Sequence, residues 1–87
     1  MALKAIRSVE VIAPLVVRVA WVDGRVLAVD LEPVMRGHAM LEMLAAPEVF
    51  RDVAVVEGGG GIEWANGADL SSETLRRMGE TQADAAA

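Results

Sequence analysis

Two β-rich runs, LVVRVAWV (15–22) and RVLAVDL (25–31), flank Asp23-Gly24. Aspartate-glycine between such runs is a strong short-range hairpin signal. The loop length decides which side chains share a face, because side chains alternate with a period of two. A two-residue loop would set Val17 opposite Asp30 and leave both faces mixed. A three-residue loop, Val22-Asp23-Gly24, pairs odd positions with odd. One face then gathers Leu15, Val17, Val19, Trp21, Leu27, Val29 and Leu31, and the other carries Arg18, Ala20, Ala28 and Asp30. The longer loop also puts Gly24 where a type I turn needs a left-handed residue. The three-residue loop is therefore the expected one.

The flanking chain extends this pattern. Residues 5–12 (AIRSVEVI) read as an N-terminal strand with Ile6, Val9 and Val11 apolar, ended by Pro14. Pro33 suits the first turn of a short helix that Gly37 would end. Val34, Leu41 and Leu44 have helical spacing, yet residues 38–43 (HAMLEM) fit an extended link as well. Residues 46–50 (APEVF) read as another short helix burying Phe50. Met35, Met40 and Met43 lie here, as flexible filling for a core or as a binding face.

A second hairpin follows. Residues 53–57 (VAVVE) and 62–65 (IEWA) flank four consecutive glycines, 58–61. A four-residue loop there pairs Glu57 with Ile62, Val55 with Trp64 and Val53 with Asn66, so Val53, Val55, Ile62 and Trp64 share a face. The glycines read as a loose turn. A phosphate loop would open directly into a helix, and these lead into a strand. After Asn66-Gly67, Ser71 or Ser72 can cap a helix with Glu73 in its first turn and Leu75 and Met78 inward. Gly79 would end it. The expectation is one α+β domain over residues 1–78: a small, mostly antiparallel sheet of two hairpins plus the N-terminal strand, with short helices including one near the C-terminus. Residues 79–87 read as a frayed tail.

Composition narrows the function classes. The chain has 87 residues, a hydrophobic fraction of 54% and no cysteine. Disulfides and thiolate metal sites are excluded. Acidic residues outnumber basic ones 13 to 8, for a net charge of −5, so direct nucleic-acid binding is disfavoured. No apolar run is long enough for a signal peptide or a membrane span, and a cytoplasmic location is expected. No nucleophile–base pair stands out. His38 and Glu42 are four apart, which makes two ligands and not a zinc site. Asp23, Asp30 and Asp69 each have a simpler role, in a turn, at a strand end and before a helix. No catalytic, cofactor or metal residues are expected. The densest cluster of specific residues is Trp64, Asn66, Gly67 and Asp69, as a structural corner or as a recognition site with an exposed tryptophan anchor.

Three segments, LVVRVAWVDGRVLAVDLEPVM, LAAPEVFRDVAVV and IEWANGADLSSETL, resemble the small bacterial domain-of-unknown-function family 2442 over about residues 9 to 76. The W-x-N-G-x-D-L element is the most specific part. The resemblance implies a compact α+β domain with no established enzyme activity. Family members often occur beside a second small uncharacterised domain, in an arrangement like a toxin–antitoxin pair. Some relatives carry a helix-turn-helix domain after this one, for which the roughly ten residues beyond the last expected helix leave no room. The leading expectation is a non-catalytic protein-interaction domain, antitoxin-like, with a small basic partner or self-association. The alternative is a regulatory or ligand-sensing module acting as a homodimer or with a separate DNA-binding protein.

Overall fold

The computed structural model describes residues 5–36 and 39–86. The chain runs β1 (Ile6–Ala13), β2 (Val16–Trp21), β3 (Val26–Asp30), α1 (Glu32–Met35), α2 (Ala39–Glu42), a 3-10 turn (Met43–Ala45), α3 (Pro47–Phe50), β4 (Ala54–Val55), β5 (Gly61–Glu63), β6 (Asp69–Ser71) and α4 (Ser72–Ala86). Among the described residues the strands form two antiparallel three-stranded sheets, β1-β2-β3 and β4-β5-β6. The α+β expectation holds, with two sheets in place of one. Gly37 and His38 lie outside the described residues, as do the side chains of Met40, Leu41 and Met43.

The first sheet follows the register that a single core face demands. Val17 faces Val29 and Val19 faces Leu27. The loop is Val22-Asp23-Gly24, with Gly24 at φ +94°. The Trp21 N–H donates to the Arg25 carbonyl at 2.9 Å and the Gly24 N–H to the Trp21 carbonyl at 3.0 Å. In β1, Ile6 and Val9 are out of phase for a regular strand. A bulge between Ile6 and Ser8 absorbs the extra residue, so Ile6 faces Trp21 and Val9 faces Val19. Bulges re-aim side chains in this way. Val17, Val19, Trp21, Val29 and Leu31 are fully buried, and Leu15 is half-buried.

The second hairpin keeps the expected faces but not the expected pairs. Val55 lies opposite Ile62, not Trp64, and Ala54 opposite Glu63. The Val56 N–H donates to Gly61 at 2.9 Å, so the four-residue loop is Glu57 to Gly60 and Gly61 belongs to β5. The register differs by two, which preserves parity and keeps Ile62 and Trp64 on the buried side. Strand β6 explains the change. Gly61 faces Ser71, and a Cβ on Gly61 would lie 2.4 Å from the Leu70 carbonyl oxygen. Only glycine admits β6 at that distance.

The glycine loop is a junction, not a loose turn. Gly58 and Gly59 have φ +88° and +81°. The Gly59 carbonyl accepts the Ile6 N–H at 2.8 Å, and the Gly60 carbonyl accepts the Ser72 N–H at 2.8 Å. One loop thus ties β1 of the first sheet to the start of α4. Gly59 is buried, and a Cβ there would meet the Ile6 carbonyl oxygen at 2.8 Å and its nitrogen at 2.9 Å.

Helix α4 corrects the expected frayed tail. It does not end at Gly79 but continues to Ala86. Gly79 is buried on β3, where a Cβ would meet Leu27 Cδ1 at 2.9 Å and Val29 Cγ2 at 3.2 Å. A glycine in a helix interior costs about 1 kcal/mol relative to alanine, and here it makes room for β3. One turn on, the Gln82 amide accepts the Asp30 N–H at 2.8 Å and donates to the Asp30 carbonyl at 2.9 Å.

These contacts separate the two central glycines by experiment. Asparagine tolerates a left-handed backbone, so Gly59→Asn reports the clash with Ile6 more than the dihedral. It is expected to cost about 1–3 kcal/mol, as overpacking does. Nothing lies within 4 Å of a Cβ on Gly60, and Gly60→Asn should stay within about 0.5 kcal/mol of the parent. Urea melts of the two variants decide; equal midpoints would refute the close packing of Gly59.

Candidate interaction site

The Trp64–Asp69 segment is built by one turn. The Trp64 N–H donates to the Ala68 carbonyl at 2.9 Å and the Gly67 N–H to the Trp64 carbonyl at 3.0 Å. Gly67 has φ +95°, and the Asn66 Oδ1 accepts the Ala68 N–H at 3.0 Å. The indole is only 3% exposed. It stacks on Phe50 with centroids 5.9 Å apart and donates Nε1–H to the Phe50 carbonyl at 2.9 Å. Trp64 therefore holds α3 against the second sheet and is not presented to a partner. Asp69 points to solvent from β6, opposite the equally exposed Glu63. It does not cap α4. The Ser71 hydroxyl does that, accepting the Thr74 N–H at 3.1 Å.

The same turn occurs at Trp21. WVDG (21–24) and WANG (64–67) share tryptophan, then aspartate or asparagine, then glycine. Asp23 Oδ1 accepts the Arg25 N–H at 3.0 Å, as Asn66 does for Ala68. The W-x-[DN]-G repetition was the signal available in the sequence for this equivalence.

Trp21 anchors a polar cluster that sequence reasoning missed, because its members lie about fifty residues apart. Its Nε1–H donates to the Ser72 hydroxyl at 2.9 Å, in the interior. The Arg76 guanidinium lies over the indole at 5.0 Å from the ring centroid, a cation–π distance. Arg76 also pairs with Asp23 at 2.9 Å and with Glu80 at 3.3 Å. The hydrogen bond from Arg76, then that from the Arg25 amide, holds the Asp23 carboxyl below its ordinary 3.8. The bond to Asp23 raises Arg76 in turn. Asp23 and Asp30 stand near opposite ends of β3, and Asp69 lies in the other sheet, so the three aspartates form no common site. Among the described residues no group of three or more acidic or histidine side chains could hold a metal ion. His38 lies outside them, so its pairing with Glu42 is undescribed.

An apolar surface feature lies elsewhere. Val11, Ala13, Pro14, Leu15, Ala45, Pro47, Phe50 and Arg51 line a groove of about 220 Å³ between the β1–β2 turn and α3. Ala13, Pro14, Ala45, Pro47 and Arg51 are exposed. Leu15 has φ +62°, and no other non-glycine among the described residues has a positive φ. It follows proline at the turn position that favours glycine, and a left-handed leucine costs roughly 1–2 kcal/mol.

Residues 6–80 match the family described as protein of unknown function, DUF2442. No curated protein matches the chain. Among solved structures, it is similar to a crystallised protein from Nitrosomonas europaea named "putative DNA binding protein", with a TM-score of 0.81 and 29% identity. The alignment covers 92% of this chain and 51% of the crystallised one. This chain thus spans about half the length of that relative.

Two outcomes follow from the geometry. Trp64→Ala should cost about 3–5 kcal/mol through the lost buried ring. Asp69→Ala should stay within about 0.5 kcal/mol, since its carboxylate has no partner among the described residues and faces a like charge. Urea melts check both. The Asp23 carboxyl is depressed when folded, so its contribution is present above its unfolded pKa and is lost as pH falls through the folded value. Asp23→Asn should therefore be less stable than the parent at pH 7, and should lose less stability than the parent between pH 3.8 and more acidic solution.

Proposed function

The chain belongs to the DUF2442 family of proteins of unknown function, and from that premise we propose that it is a small non-catalytic protein-interaction domain. The observation that carries this reading is the apolar groove beside α3, open to solvent and walled by prolines, alanines and a strained leucine. Exposed apolar surface set in a polar rim is what a partner covers. Trp64 backs the groove by stacking on Phe50 and bonding its carbonyl, and a preorganised wall lowers the entropic cost of binding. The net charge of −5 favours a small basic partner, as in an antitoxin-like pair.

The relative's printed name supports a second reading. Because this chain corresponds to about half of that protein, the domain fits a regulatory module that works together with a separate DNA-binding protein.

Affinity purification of the tagged chain from its host tests both. A stoichiometric small basic protein in the eluate is the expected result. A DNA-binding protein in its place would favour the second reading. A chain that elutes alone, or with a metabolite only, would count against a protein-interaction role.

A further inference from the structure

The groove has a definite chemistry. At about 220 Å³ it is smaller than the roughly 300–1,000 Å³ usual for small-molecule sites. Its scale suits one large side chain. Its lining is aliphatic and aromatic from Val11, Pro14, Leu15 and Phe50. The one charged group at the edge is Arg51, exposed and in no ion pair among the described residues. Its backbone is set by the end of α3, where the Arg51 N–H donates to the Pro47 carbonyl at 3.1 Å.

Leu15 adds a backbone observation on the same wall, where its side chain also packs against the core. Glycine would satisfy this turn without strain. A leucine held at φ +62° puts a branched side chain on the groove wall. Backbone strain of this kind persists where the surroundings over-determine it, and it clusters at recognition sites.

We propose that this groove receives a single large apolar side chain, aromatic or leucine, from a partner protein segment in which the next residue is a carboxylate that pairs with Arg51. This deepens the protein-interaction reading and rests on it. A partner that is basic overall would then carry one local acidic group at the contact. Such an inversion fixes register and orientation more than it adds affinity.

Nuclear magnetic resonance titrations with blocked dipeptides test the proposal. The probes are acetyl-Phe-Asp-amide, acetyl-Phe-Lys-amide and acetyl-Ala-Asp-amide. Acetyl-Phe-Asp-amide is expected to shift the amides of Leu15, Ala45, Phe50 and Arg51, with the other two at least about fivefold weaker, a difference near 1 kcal/mol. Arg51→Glu should reverse the order of the Asp and Lys probes. Ala45→Trp should fill the groove and abolish the response. Thermal melts of both variants certify that each is folded; Arg51→Lys, which keeps the charge, serves if Arg51→Glu is not. Loss of the Asp preference in Arg51→Glu with its retention in Arg51→Lys supports the assignment. Equal response to the Asp and Lys probes, or no shifts at the groove, overturns it. Copurification keeps the two readings apart: a host partner retained equally by wild type and Ala45→Trp sinks the groove assignment and leaves the interaction role standing.

Discussion

Everything in this domain leans on the contact between the backbones of Gly59 and Ile6. With no Cβ between them, the Gly59 carbonyl reaches the Ile6 N–H at 2.8 Å. That bond joins the first sheet to the loop of the second. The next carbonyl, of Gly60, takes the first amide of α4, and Gly61 lets β6 close on β5. Three successive glycines thus make three different junctions, each needing space or a backbone group and none needing a side chain. A small domain has few buried residues to spend on holding its parts together, and backbone contact is an economical way to do it.

The two tryptophans complete the frame from the other direction. Each opens the same three-residue turn after a strand, Trp21 closing β2 and Trp64 just after β5, and each sends its indole N–H to a group distant in sequence, Ser72 or the Phe50 carbonyl. A buried indole whose N–H is satisfied contributes area without an unpaired donor. The result is that α4 and α3 are both pinned to sheets. The groove beside α3 is backed by the Trp64 ring through Phe50. Such backing is the property a recognition surface needs.

The first hairpin was legible because one face is wholly apolar and only one register delivers it. The phase slip in β1 shows only as the odd spacing of Ile6 and Val9, which does not say where the bulge falls. The second hairpin pairs two positions away from the expected register because DLS (69–71), which reads as the lead into a helix, is a strand. Without β6 there was no reason to assign Gly61 to a strand. Glycine usually ends helices, which makes Gly79 read as a stop; its actual reason is Leu27, more than fifty residues earlier. The site was least legible of all. In the densest cluster of specific residues, the Trp64 indole is buried against Phe50 while Asp69 is exposed. The groove unites a turn at Pro14-Leu15 with a helix at Pro47–Phe50, and nothing in either segment refers to the other.

Gln82 carries a consequence for behaviour in solution. A strand at the end of a sheet offers unpaired amides and carbonyls, and chains in concentrated solution can associate by pairing such edges. At Asp30 both groups are already taken by one glutamine amide, which imitates the peptide group of a neighbouring strand. The imitation comes from a helix, so it leaves no further edge behind it. A helical C-terminal segment thereby takes up the edge groups of Asp30, where a further strand would otherwise have to pair.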